Sequence, residues 1–308
     1  MIPARKLTFQ DAWDSATVFF VDEALEDEID ARVHYLLTIA NDLQFTIPQE
    51  KSASDIATFL AATPDGLDVI LRDIGLSEEK FMRIISLLRK IGRIEGPFDR
   101  EWSVSKIKRN LSEPSFAQLV AQLLFDGKRD NTLITYIPRY YRDKLNYREI
   151  SALPPAAREI SYKDSLIGTY GARKGHKVEA LIGEQLEAIK KKYGVSYEKG
   201  RSRFIPVDID FAIPSLDDPW VIIMSSFQET TSSGQTTKVR DMFAAFNRVN
   251  ETNSRYGENR AFVNFVDGGG WLARKRDLQR LVAQCHYFIN LHYLEMLESI
   301  ALNHVVNR

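Results

Sequence analysis

The sequence predicts an α/β protein in which a mostly helical N-terminal half precedes a mixed central sheet flanked by helices. Three observations carry that prediction. Apolar residues recur at helical spacing through residues 28–125. Beyond about residue 160, amphipathic helices alternate with short, β-branched strands. The 308 residues are 44% hydrophobic, enough for at least one full core, and their number suits two domains. The expected division is a helical domain over 1–155 and a sheet domain over 156–308.

In the first half, Ala31–Ala40 is a short periodic segment that runs into the polar stretch around Asn41. Ser54-Asp55 is expected to cap a helix over Ile56–Ala62, which stops at Thr63-Pro64-Asp65-Gly66. Leu67–Ile74 and Ser77–Ile91 follow. The second opens on Ser77-Glu78-Glu79 and spaces Phe81, Ile84, Ile85, Leu87 and Leu88 as a helix does. Short helices joined by tight turns suit a helix-turn-helix, and an ordinary bundle is the plainer expectation. The six acids between Val21 and Asp30 read as a solvated helical face.

Residues 131–160 interleave Tyr136, Arg139, Tyr140, Tyr141, Arg142, Lys144 and Tyr147. Aromatic faces with guanidinium groups suit contact with nucleotides and phosphates, although Tyr-rich stretches also pack amphipathically against a domain. Leu153-Pro154-Pro155 is the expected linker. Gly175–Tyr193 is an amphipathic helix with Val178, Leu181, Ile182, Leu186 and Ile189 on one face; Lys190-Lys191-Lys192 suit its C-terminal dipole and Gly194 ends it. Strands are expected at Ile205–Ile213, Trp220–Phe227, Ala261–Val266 and Tyr287–Asn290. Helices are expected at Thr237–Val249 and Ala273–Gln284, with another at the end of the chain.

Composition narrows the function classes. Lys plus Arg number 41 against 42 Asp plus Glu, a formal charge of −1. Binding to nucleic acid through bulk charge is excluded by that balance, whereas a local basic groove is not. Cys285 is the sole cysteine, so no internal disulfide forms, and no Cys/His cluster suggests structural zinc. No apolar run approaches the roughly 18 residues that span a bilayer, and the N-terminus lacks a secretory pattern. A cytoplasmic protein without a membrane partner is expected.

Val207-Asp208-Ile209-Asp210-Phe211-Ala212-Ile213 carries the most chemistry. Strand alternation puts Asp208 and Asp210 on one face and the apolar residues on the other. Two like charges on one face repel, and Mg²⁺, which prefers carboxylate oxygens, is the usual remedy; a surface strand that merely carries acids is the alternative. The next strand turns polar at Ser225-Ser226-Phe227-Gln228-Glu229 and runs into Thr230–Lys238 (TTSSGQTTK). That loop offers hydroxyls, backbone N–H groups and a helix N-terminus to a phosphate. It lacks the glycine spacing of a P-loop. Asp267-Gly268-Gly269-Gly270-Trp271 reads as a tight turn with close backbone packing, and His176, His286 and Cys285 as structural.

A helix with an internal glutamate (GHKVEALIGEQL), an acid-bearing strand (VDIDFAIP) and an apolar strand with a polar end (WVIIMSSFQ) follow one another in an order that resembles PD-(D/E)XK nucleases, more specifically type II restriction endonucleases. AFVNFVDGGGW and HYFINL extend the likeness to roughly residues 165–300. The resemblance implies a restriction-endonuclease-like core in which an aspartate and a Glu/Asp-x-Lys bind Mg²⁺ and activate water against a phosphodiester. Asp210 matches the first aspartate, and Glu179 the glutamate that members often add. Met224 falls at the second carboxylate and Ser226 at the lysine, a departure from the pattern. Gln228 is then the candidate to orient the water, and Asp208 or Glu179 to supply the missing carboxylate.

The expected catalytic set is therefore Glu179, Asp210, Ser226 and Gln228, with Asp208 and Asp210 as Mg²⁺ ligands. The expected contacts to double-stranded DNA are Arg139, Arg142, Lys174, Arg201, Arg203, Thr231, Ser232, Ser233, Gln235 and Lys238. The function implied is a Mg²⁺-dependent, sequence-specific endonuclease acting as a homodimer, its helical half supplying recognition or dimer contacts. The alternatives are a non-catalytic DNA-binding protein or silent subunit on a degenerate nuclease fold and, more remotely, a small-molecule α/β enzyme.

Overall fold

The computed structural model describes residues 2–46, 51–150, 154–205 and 207–307. In chain order the elements are α1 (Phe9–Asp14), α2 (Glu23–Thr46), α3 (Ala53–Ala62), α4 (Gly66–Asp73), α5 (Glu78–Lys90), α6 (Val104–Asn110) and α7 (Pro114–Asp126). The short α8 (Asn131–Ile134) and α9 (Arg139–Arg142) and the long α10 (Pro155–Tyr193) follow. Then come β1 (Glu198–Arg201), β2 (Asp208–Ile213), β3 (Val221–Phe227), α11 (Gly234–Tyr256) and β4 (Ala261–Asp267). α12 (Gly269–Leu272), α13 (Lys275–Ala283), β5 (Tyr287–Ile289) and α14 (Met296–Ala301) complete the set. The fold is α/β, with a mostly helical first half and a five-stranded mixed sheet in the second.

The chain forms two compact units: Asp22–Gly168, and Met1–Val21 together with Thr169–Arg308. The division falls inside α10, fourteen or so residues beyond the expected linker. Leu153 lies outside the described residues; Pro155 opens the helix, where a missing N–H costs nothing. No lack of helical pattern marks the boundary, which is why local sequence does not show it. Among the described residues no helix is long and apolar enough to cross a membrane.

The helical unit is held by an apolar core and by buried charge. Side chains cap its helices: Ser52 with Asp55 forms a capping box on α3, so the cap lies two residues before the expected Ser54-Asp55. Ser77 caps α5 as expected. Asp68, 2% exposed, accepts from Arg32 at 2.6 Å and Lys108 at 2.8 Å, tying α2, α4 and α6 together. The acidic start of α2 is solvent-facing: Glu23, Glu26, Asp27 and Glu28 are exposed while Leu25 is buried.

In the sheet unit the strand order is β1-β2-β3-β4-β5. β1/β2 and β2/β3 are antiparallel, β3/β4 and β4/β5 parallel. A parallel neighbour needs a crossover, which α11 provides between β3 and β4. β3 and β4 are buried throughout, as strands covered on both faces are. α10 buries Val178, Ile182, Leu186 and Ile189, and α11 buries Val239, Met242, Ala245 and Val249, both at helical spacing. The expected strand Ile205–Ile213 shortens to β2, and β1 is an addition. All four residues of β1 are exposed, so it has no apolar alternation to read; it pairs with β2 through the backbone ladder, with Arg201 on Asp208 and Lys199 over the Phe211 ring.

The first 21 residues belong to the sheet unit. Asp267, 2% exposed at the end of β4, accepts the N–H groups of Thr17 at 2.7 Å and Leu291 at 3.1 Å, besides that of Gly268. Phe20 stacks edge-on against Phe227. Burial raises the Asp267 carboxyl above the usual range against the pull of those donors.

Candidate active site

The antiparallel register pairs Phe211 with Ile223 and Ala212 with Ile222. Alternation then places Asp210, Met224 and Ser226 on one face of the sheet. Asp210 and the polar end of β3 thus come together because neighbouring antiparallel strands run oppositely: the start of β2 lies beside the end of β3. The Asp210 carboxylate accepts the N–H of Ser225 at 2.6 Å, and Lys238 Nζ from α11 stands 3.5 Å from the same oxygen. Both side chains are partly buried, Asp210 at 22% and Lys238 at 31% exposed.

Beside this pair a cavity of about 310 Å³ opens at the end of β3, between α10 and α11. It brings together six residues that the sequence singles out separately: Glu179, Ser226, Gln228, Ser232, Gln235 and Lys238. Gln228 is placed by backbone, its N–H donating to Asp267 and its carbonyl accepting from Gly270. Its Oε1 lies 3.5 Å from Ser232 Oγ. Ser226 is buried, and its carbonyl accepts from Trp271 Nε1 at 3.2 Å. Met224 is 1% exposed and packs in the core.

The glycine-rich segment after β4 holds the strand end in place. A Cβ on Gly268 would lie 2.2 Å from the Gln228 carbonyl oxygen, and one on Gly270 2.5 Å from that of Thr230. Gly268 also has φ +109°, which only glycine adopts freely. The turn is tight and backbone-packed, as expected, and what it packs against is the strand end that carries Gln228.

Other expected residues lie apart from the cavity. Asp208 and Asp210 share a strand face but do not converge: Asp208 is exposed and accepts from Arg201 Nε at 2.6 Å, which holds its carboxyl below the usual range. Arg203 is exposed. Lys174 donates to both oxygens of Glu229, at 2.8 and 2.7 Å, and Glu229 also accepts the Phe20 N–H. Thr231 and Ser233 are exposed on the loop before α11. Arg139 and Arg142 belong to the helical unit. Arg139 is exposed and 3.6 Å from Asp143, and Tyr136 and Tyr140 are also exposed.

Four parts of the site escape the sequence reading. The Ser225 N–H carries no side-chain signal. The Lys174–Glu229 lock joins positions 55 apart, and the N-terminal Phe20 N–H reaches the same carboxylate from 209 positions away. Gly171 and Gly175, one turn apart on α10, line the cavity, and a Cβ on either would meet nothing within 4 Å. Their spacing within an otherwise good helix is the one signal available beforehand.

Among the described residues no three His, Cys, Asp or Glu side chains form a group able to hold a metal ion. The donor chemistry nonetheless suits Mg²⁺, which is commonly bound through one or two carboxylates, the other positions being filled by water and substrate phosphate. Glu179 lines the cavity and Asp210 stands beside it on Lys238, while Glu229 and Asp267 at the same end of the sheet are taken up by Lys174 and by backbone N–H groups.

No curated protein matches the chain. Residues 162–299, which span the cavity, all five strands and most of α10, match the model of the DpnII restriction endonuclease family. Over that span the chain is similar to a type II restriction endonuclease.

Proposed function

We propose that the protein is a sequence-specific, Mg²⁺-dependent endonuclease that hydrolyses phosphodiester bonds of double-stranded DNA, a type II restriction enzyme of a restriction–modification system. The observation that carries this reading is the Asp210–Lys238 pair, whose lysine lines the cavity, inside the span that resembles restriction endonucleases.

The strand position expected to hold a lysine holds Ser226, and Lys238 reaches Asp210 from α11 instead. A lysine there does what a strand lysine would: its ammonium faces both the carboxylate and the cavity, where phosphate charge builds. Asp210 and Glu179 would hold Mg²⁺, which when bound lowers the pKa of water and neutralises phosphate charge. Gln228, held by two backbone hydrogen bonds, orients the attacking water through its amide. Ser226 offers its hydroxyl at the same wall. Asp208, turned to Arg201, acts with Arg201 and Arg203 at the outer end of β2 rather than on the metal.

Thr231, Ser232 and Ser233 would contact DNA from the loop before α11, with Arg139 and Arg142 on the helical unit. Lys174 would act on DNA only by positioning Glu229. The helical unit supplies recognition or dimer contacts, and a homodimer cuts both strands in the cytoplasm.

Incubating the purified protein with long duplex DNA, with and without Mg²⁺, tests the proposal. Discrete fragments formed only with metal are expected, and their ends give the recognition site. The burial of Met224 where a second carboxylate is expected favours one other reading, a silent DNA-binding subunit. Duplex that is bound but stays intact with Mg²⁺ would establish that reading in its place.

A further inference from the structure

The wall of the cavity contains a donor that hydrolysis by Asp210 and Lys238 leaves unused. Gln235 is 1% exposed and sits on the buried stripe of α11, one turn before Val239. Its Oε1 accepts the N–H of Ser232 at 2.9 Å. Because a backbone N–H can only donate, that bond fixes the amide and turns Nε2 the other way. Nε2 is buried with no hydrogen-bond partner among the described residues. An unpaired donor of this kind is costly unless something supplies an acceptor.

Its surroundings are those of an anion. α11 is 23 residues long, and its N-cap Ser233 makes no side-chain cap hydrogen bond, so first-turn N–H groups are left with their partial positive charge. Lys238 lies three residues on, along the same cavity. The acids nearby are Asp210, engaged by Lys238, and Glu179 on α10, 3.9 Å from His176 Nδ1. With a carboxylate on the opposite wall, the singly charged phosphodiester is a better occupant than a doubly charged free phosphate.

We propose that Gln235 and the N-terminus of α11 form a pocket for a backbone phosphate of the nucleic acid, Gln235 Nε2 donating to a non-bridging oxygen. The proposal rests on the endonuclease reading, and the pocket gives that reading a phosphate clamp distinct from the Asp210–Lys238 pair. A neutral amide adds affinity without releasing a counterion, so it acts on binding strength and not on salt dependence.

The test is amide NMR of the wild-type protein, following the Gln235 side-chain resonances during titration with a short duplex and, separately, with inorganic phosphate. Saturable shifts with duplex at far lower concentration than with phosphate are expected. Gln235→Leu should weaken duplex binding roughly 10-fold with an unchanged salt slope. Unmoved resonances in both titrations overturn the pocket. So does a Gln235→Leu protein that binds duplex as tightly as wild type, and in that case cleavage by the wild type keeps the endonuclease reading intact. Resonances that saturate with inorganic phosphate, in a protein that neither binds nor cuts duplex, would overturn the nucleic-acid assignment along with the endonuclease reading.

Discussion

Replacing Gly270 with alanine probes how the strand end is held. The new Cβ would sit 2.5 Å from the Thr230 carbonyl oxygen, 2.7 Å from its carbon and 2.9 Å from the Gln228 oxygen. Ordinary contact begins at 3.4 Å, so Thr230 must retreat by about 0.9 Å. Neither side yields easily. Gly270 N–H is bonded to Gln228, and Trp271 beside it is 1% exposed with its indole N–H on Ser226. Overpacking of this kind costs about 1–3 kcal/mol, a fall in melting temperature of roughly 2–12 °C for a unit of this size. The shift passes to Gln228, and a misplacement of about 1 Å can reduce turnover on the order of 10²-fold. Thermal melting by circular dichroism and duplex cleavage well below the melt read the two effects separately. A variant that melts and cuts like wild type would refute the close-approach account.

Asp210→Ala should abolish cleavage while duplex binding survives, and Lys238→Met should reduce cleavage by about 10²-fold or more; wild-type turnover in either would remove that residue from the site. Gly175→Ala, at an open helical position, should raise stability by about 0.5–1 kcal/mol. Gly175→Leu should fill the cavity and slow cleavage without unfolding, and unimpaired turnover there would mean that substrate does not enter between α10 and α11. Charge removal at Arg201 and Arg203 together should flatten the salt slope of DNA binding by about 1.8 if both meet phosphates; an unchanged slope puts the groove elsewhere. His286 Nδ1 accepts the Phe262 N–H at 2.9 Å, and burial lowers its pKa to about 4. Above its unfolded value near 6.5 both states are neutral and the contact is fully present. As pH falls from there towards 4, only the unfolded chain takes the proton, so stability drops by about 1–2 kcal/mol after allowance for partial exposure. A His286→Gln variant with the same acid-side slope in chemical denaturation would contradict this.

The order of elements in the second half is legible in the chain because each element there has a clear period. Val239, Met242, Ala245 and Val249 mark α11, and the unbroken apolar runs of β3 and β4 mark strands covered on both faces. Asp210 is legible too, since a carboxylate in a buried strand asks for a partner. Cap positions and element ends shift by a few residues, as for Ser52 on α3, because the competing Ser and Asp side chains differ little locally.

Long-range placement is another matter. Lys238 is 28 residues from Asp210, and nothing in the local pattern says that its Nζ will reach that carboxylate. That contact depends on the antiparallel register of β2 with β3 and on the crossover that returns α11 over the sheet. Alternation correctly puts Asp208 and Asp210 on one face, yet strand position separates them: one lies at the exposed end with Arg201, the other beside the cavity. Likewise, the tight packing of Gly268–Gly270 can be read from composition, but its partner, the strand end at Gln228–Thr230, cannot. Periodicity reports which face of an element is apolar; it carries no information on which distant element covers that face, and the site is built from those distant pairings.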